Sequence, residues 1–341
     1  MATTESQLED QEPGRQTESG TADEEIEARV GWRYTLAKVK RDTTARFGFY
    51  IVVAVLFIAT FVAIDSNLSR LTFGTMSDYT AAQTLPIFDH PTALPESGEA
   101  QRNVPPAFVD GGTLSHPLGT DPQGRDYFTR IVYGSQVSVS VGIFSTAIGL
   151  IGGTIIGSIA GYYGGRTDDV LMRAVETLYA IPPLVLIIVF IVFISDGSPD
   201  IRFAVVGVGL TFIPVFARII RSRVLSVREM DYIEAARAAG VKDRNIIRRH
   251  VIPNSFAPVM VYATLQIGVT ILIVAGLSFL GYGAQPPTPD WGEMLRIAHG
   301  RYMHSNIWLS IWPGLAILVT IMGFNLFGDG LQDALDPRIK E

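Results

Sequence analysis

The chain has 341 residues, no cysteine, a hydrophobic fraction of 48% and a formal net charge of −6. The missing cysteine excludes disulfides, thiol chemistry and cysteine-ligated zinc or iron–sulfur centres. The charge distribution excludes a soluble fold: the stretches 47–64, 137–160, 178–194, 203–220, 258–280 and 307–327 hold only Arg218 of the 60 Asp, Glu, Lys and Arg side chains. At about 1.5 Å per residue each approaches or exceeds the ~30 Å hydrocarbon core, which predicts an all-α integral membrane protein with six transmembrane helices.

Residues 1–30 carry nine acids against Arg15 and Arg29, in a Thr-, Ser-, Gln- and Gly-rich setting. Without apolar periodicity, 1–32 is expected to be a disordered acidic cytoplasmic tail. The unit 33–64 joins a basic flank (Arg33, Lys38, Lys40, Arg41 and Arg46) to the first span. Those cations should stay in the cytoplasm and make the span an uncleaved anchor. Six spans then return the C-terminus inside, an N-in/C-in arrangement that puts twenty Lys and Arg inside and seven outside. That bias is the one expected of cytoplasmic loops. An extracytoplasmic loop over 65–136 precedes a five-helix core over 137–328, and 329–341 forms a cytoplasmic tail. The core holds an inside loop, 221–253, and an outside loop, 281–306.

Within the spans, Gly149, Gly153, Gly157, Gly161 and Gly165 recur every four residues. They line one ridge of a helix and let another backbone approach closely, either as static packing or as a contact that slides during transport. Pro182-Pro183, Pro214 and Pro313 interrupt three other spans and can kink them. Gln266 and Asn325 are polar span residues, candidates either to line a pathway or to bridge helices.

The inside loop reads Asp231-Tyr-Ile-Glu-Ala-Ala-Arg-Ala-Ala-Gly240, then a second helical stretch up to Pro253. Asp231 can cap the first helix with Glu234 three residues on, and Gly240 suits the left-handed position after its end. Asp243 can cap the second helix, and Pro253 can end it before span five. A small-sided helix carrying Ala235 and Ala236 into the cytoplasm suits a partner's groove. A basic loop lying on anionic lipid would explain the cations but not the Glu-Ala-Ala…Gly arrangement.

That arrangement resembles the signature of permease subunits of ATP-binding-cassette importers, with Glu234, Ala235, Ala236 and Gly240 matching directly. His250 and Ile252 depart from the usual Ile and Leu. Gly119-Thr-Asp-Pro-Gln-Gly-Arg-Asp126, Tyr133-Gly-Ser-Gln-Val-Ser138, Gly161-Tyr-Tyr-Gly-Gly-Arg-Thr-Asp-Asp169, Ala180-Ile-Pro-Pro183 and Leu335-Asp-Pro-Arg338 narrow the likeness. They are similar to the dipeptide/oligopeptide/nickel importer permeases, over about residues 33–341. Glu176 stands where Asp is more usual. The resemblance implies a type I importer permease fold, with 231–240 as a coupling helix docking on an ATPase. It also implies a second permease subunit, two ATPase subunits, an extracytoplasmic solute-binding protein and the bilayer as partners, and no nucleic acid. Peptides, nickel and oligosaccharides remain open as cargo.

No Gly-x-x-x-x-Gly-Lys-Ser/Thr loop cradles phosphate, so ATP hydrolysis is expected in partner chains, and this chain is read as non-catalytic without a cofactor. His299 and His304, five apart, do not share a helix face, and no metal site is expected there. An ion-coupled secondary transporter is the alternative. It would need ionisable groups buried at mid-membrane.

Overall fold

The computed structural model describes residues 42–94, 102–194, 200–301 and 306–335. The acidic tail, the flanking Arg33, Lys38, Lys40 and Arg41, His304, and Asp336 to Arg338 of the C-terminal ending lie outside the described residues. In chain order come α1 (Thr43–Asp65), the short turns α2 (Leu68–Leu71) and α3 (Thr80–Thr84), then α4 (Tyr127–Tyr163) and α5 (Gly165–Tyr179). After these come α6 (Pro183–Ile194), α7 (Ile201–Val227), α8 (Asp231–Ala238), α9 (Asp243–Phe279), α10 (Trp291–Arg301) and α11 (Trp308–Leu335). No β-strand occurs among the described residues.

Five of these helices, α1, α4, α7, α9 and α11, are long and apolar enough to cross a membrane. The third apolar segment, read above as one span over 178–194, is not a straight helix. It is split between α5 and α6, which meet at 90°; together the bent pair is long and apolar enough to count as a sixth span. Ile181 and Pro182 explain the break: the proline ring disfavours helical backbone at the residue before it and supplies no N–H. Pro183, by contrast, begins α6, where a missing N–H costs nothing. Pro214 and Pro313 lie inside α7 and α11 without ending either.

α4 begins at Tyr127, ten residues before its apolar stretch, because the Asp126 side chain accepts from the Thr129 N–H at 2.7 Å and caps it. Its polar first turns are buried beneath the two long loops rather than exposed. Asp42 and Asp200 cap α1 and α7 in the same way.

α4 and α7 form the most extensive helix pair. α11 lies against α1 and α9, and α9 also contacts α4 and α7. The main apolar cluster runs along α7 through Val208, Phe212, Phe216, Ile220 and Val224, and takes in Ile187 and Ile191 of α6. Much of α1 and α6 remains exposed and apolar, including Phe57 and Phe193, as suits helices facing lipid or another apolar chain.

Candidate functional site

The candidates of the loop over 221–253 gather on one short helix. α8 carries Ile233, fully buried, into the same apolar cluster as Ile220 and Val224 of α7 and Ile246 and Val251 of α9. Burying an isoleucine stabilises by roughly 1.5–3 kcal/mol, so Ile233 anchors α8 to the spans. Asp231, Glu234, Ala235, Ala238 and Ala239 lie on its exposed side, while Ala236 packs partly against the core. The exposed face is thus acidic at the helix N-terminus and carries alanines beside Tyr232 and Arg237.

The local geometry corrects three details of the sequence reading. Met230, not Asp231, is the N-cap of α8, and no side-chain cap bond forms. Asp231 and Glu234 sit in the first helical turn, where negative charge complements the helix dipole. Lys242 is the N-cap of the next helix, and Asp243 instead accepts from the Tyr162 hydroxyl at 2.8 Å. Pro253 does not end a helix. The chain continues from Asp243 to Phe279, with a wide π-helical turn over Ile247–Val251 just upstream of the proline. Such a turn takes up the mismatch that a proline imposes on the hydrogen-bond ladder.

Gly240 has φ +73°, and no atom lies near the position of a Cβ. Its N–H donates to Arg237 O at 2.9 Å and the Val241 N–H to Ala236 O at 3.1 Å. That double closure is a Schellman turn, which turns the chain back between α8 and α9.

Residues that the sequence reading passed over clamp this loop to the end of α4. Arg228 donates to Gly161 O at 2.9 Å. Tyr162 bonds Asp243 and lies under the Arg237 guanidinium, 4.9 Å from its ring centroid. These side chains, with Tyr163 and Glu229, line an open polar cleft of about 400 Å³. Nearby, Arg221 of α7 grips Asp168 of α5 through two contacts of 2.5 Å, and Arg218 stacks on Tyr179 at 4.0 Å. Only adjacency to the glycine spacing could have flagged Tyr162.

Along α4, the glycines meet α7 backbone to backbone. A Cβ on Gly149 would fall 3.1 Å from Gly209 O, and one on Gly153 2.8 Å from Ala217 N. One on Gly157 would fall 2.4 Å from Ala217 O, and one on Gly161 3.0 Å from Arg221 O. Gly165 leaves this ridge: it opens α5 at φ +52° with nothing beside it. Gln266 is buried on α9, and Asn325 on α11 approaches Gly268 of α9.

At the opposite end of α4 the loops fold over the bundle. Arg130, almost fully buried, donates to Pro91 O at 2.8 Å and Pro287 O at 3.2 Å, tying both loops to one helix. Tyr133 donates to Asp65 at 2.6 Å, and Ser138 to Asp290 at 3.0 Å. Burial pushes the Asp290 carboxyl above the usual carboxylate range.

Residues 153–341 match the family described as the binding-protein-dependent transport system inner membrane component. The chain belongs to this family. The permease is 37% identical over 309 residues to the dipeptide transport system permease protein DppC of Alkalihalophilus pseudofirmus, over 91% of this chain and 90% of that one. It is 42% identical over 231 residues to the glutathione transport system permease protein GsiD of Pectobacterium atrosepticum, over 68% and 75% of the two chains. In three dimensions the permease resembles the MetNI methionine ABC transporter in an inward-facing conformation. The TM-score is 0.51 at 19% identity, over 61% of this chain and 97% of that one, a likeness of fold. The permease is a multi-pass protein of the cell membrane and a transport component.

Proposed function

We propose that this permease is one half of the translocation pathway of an ATP-driven, binding-protein-dependent importer for short peptides. Both of its termini are cytoplasmic, and α8 is its contact with an ATPase subunit. The names of its relatives support the cargo class. The positive-inside bias supports the orientation. The observation that carries the coupling assignment is α8 itself: an exposed short helix rooted by Ile233 in the cluster that runs up α7 and includes Ile246 of α9.

A second permease subunit would complete the pathway. Two ATPase subunits would close on ATP and draw the docking helices together, and an outside solute-binding protein would deliver the peptide. ATP and the loaded receptor then shift the equilibrium by binding one state of the assembly better than the other. Gln266 and Asn325 are the polar side chains proposed for the pathway; Gly149, Gly153, Gly157 and Gly161 hold α4 to α7 as it moves.

The buried charged side chains argue against an ion-coupled carrier. Asp65, Asp121, Arg125, Asp126, Arg130, Asp290 and Glu293 gather around the loop-covered end of α4, in loops and at helix ends rather than mid-span. Uptake of labelled di- and tripeptides into proteoliposomes holding the assembled transporter tests the reading. Transport should require ATP on the α8 side and survive collapse of the ion gradients. Uptake that follows a proton or sodium gradient without ATP would overturn it.

A further inference from the structure

The long loop between α1 and α4 brings together three side chains that no sequence spacing groups. His116 is buried and its Nδ1 lies 3.2 Å from Asp126 Oδ1 and 3.6 Å from Asp89 Oδ2. The three candidate donor atoms all lie within 4.8 Å of one another. Two ligands bound to a tetrahedral zinc at about 2.0–2.1 Å stand roughly 3.3–3.4 Å apart, and the two His116 distances bracket that value.

Neighbouring groups orient the donors. Asp126 Oδ2 accepts both the N–H and the hydroxyl of Thr129, at 2.7 and 2.8 Å, which leaves Oδ1 facing His116. The same Thr129 hydroxyl accepts the Asp89 N–H at 3.0 Å, so one residue positions two donors. His116 is fixed at its own backbone, donating to Thr113 O at 3.2 Å and accepting from the Gly119 N–H at 2.9 Å. Supporting bonds of this kind around the donors typify protein metal sites. Two carboxylates held so close repel one another unless a cation sits between them. The Asp89 side chain is the exposed one, at 58%, and opens the cluster to solvent.

We propose that Asp89, His116 and Asp126 bind a divalent transition-metal cation of the zinc type, with water in the fourth position. The donor set of one imidazole and two carboxylates suits such an ion better than calcium, which takes six to eight oxygens. The bound ion staples the Asp89 segment to the first turn of α4. Two residues along the loop, Pro91 already accepts from Arg130. The site is independent of the transport cycle proposed above and holds the loop covering that end of the bundle.

The test uses the full-length permease in nanodiscs, stripped with a chelator and titrated with zinc ion alone in a calorimeter. Binding should be one equivalent, and zinc should raise the apparent melting temperature. His116→Gln and Asp89→Asn should each weaken binding at least tenfold and abolish the thermal shift. Asp89 is exposed, so its variant retains the fold even if the histidine variant does not. Absence of stoichiometric zinc binding by the wild-type chain, or undiminished binding by the Asp89→Asn protein, overturns the proposal.

Discussion

Adding one methyl group at Gly153 tests how closely α4 and α7 are joined. The new Cβ would lie 2.4 Å from the Cβ of Phe216 and 2.8 Å from the Ala217 nitrogen. Relaxed contacts between carbons need about 3.5–4.0 Å, so the helices must part by about an ångström. Backbone atoms cannot swing aside, and parting the axes also loosens the approaches at Gly149 and Gly157. Overpacking of this kind costs roughly 1–3 kcal/mol. Alanine also gains about 1 kcal/mol over glycine in any helix, which would mask part of the loss. Gly276→Ala supplies the control, since Gly276 lies in α9 with nothing within 4 Å of the added carbon. The propensity gain is common to both variants, so their difference isolates the clash at about 1–3 kcal/mol. Equilibrium unfolding of the purified permease in mixed micelles measures it. Equal stability of the two variants would mean that α4 and α7 are not packed as described.

Gly240→Val should insert normally yet lose ATPase pull-down and peptide uptake, because a β-branched residue at φ +73° is strained by about 1–2 kcal/mol and the Schellman turn would open; normal uptake would remove α8 from the coupling role. Single cysteines at Thr113 and Lys242 test orientation in this cysteine-free chain: an impermeant maleimide should label the first in intact cells and the second only after lysis. Tyr127→Phe removes the hydrogen bond to Leu309 O at 2.6 Å and should cost about 1 kcal/mol of stability, read by the same unfolding assay; an unchanged midpoint would mean that this link to α11 contributes nothing. A double-mutant cycle on Asp168→Asn and Arg221→Gln should return a coupling of about 1 kcal/mol, since the pair is forked and partly screened; additive effects would show that α5 is not held to α7 there.

The spans were legible because hydrocarbon excludes charge, and a census of Asp, Glu, Lys and Arg therefore marks them directly. The glycine spacing was legible for a related reason: a period of four is one helix ridge whatever lies opposite. Helix starts were harder. Asp126 and Tyr127 look like loop, and only the covering loops explain why polar turns of α4 can be buried. At Asp231 and Asp243, capping depends on the backbone angles of the preceding residue, which the side-chain pattern does not carry. The bend at Ile181–Pro182 was foreshadowed by its prolines, but not its size. Tyr162 and Arg228 act on partners far along the chain, and Asp89 lies 27 residues from His116, so no local motif joins them.

The unbroken course of α9 through Pro253 has a mechanical meaning. A helix of 37 residues is a rod of about 55 Å, rooted at one end beside α8 and reaching the far side of the bundle at the other. Rods convert angle into distance: a tilt of about 10° about the α8 end would carry the tip by roughly 10 Å, whereas a helix ended at Pro253 would dissipate the same tilt in its joint. The π turn at Ile247–Val251 interrupts the regular ladder at the handle rather than in the middle of the lever.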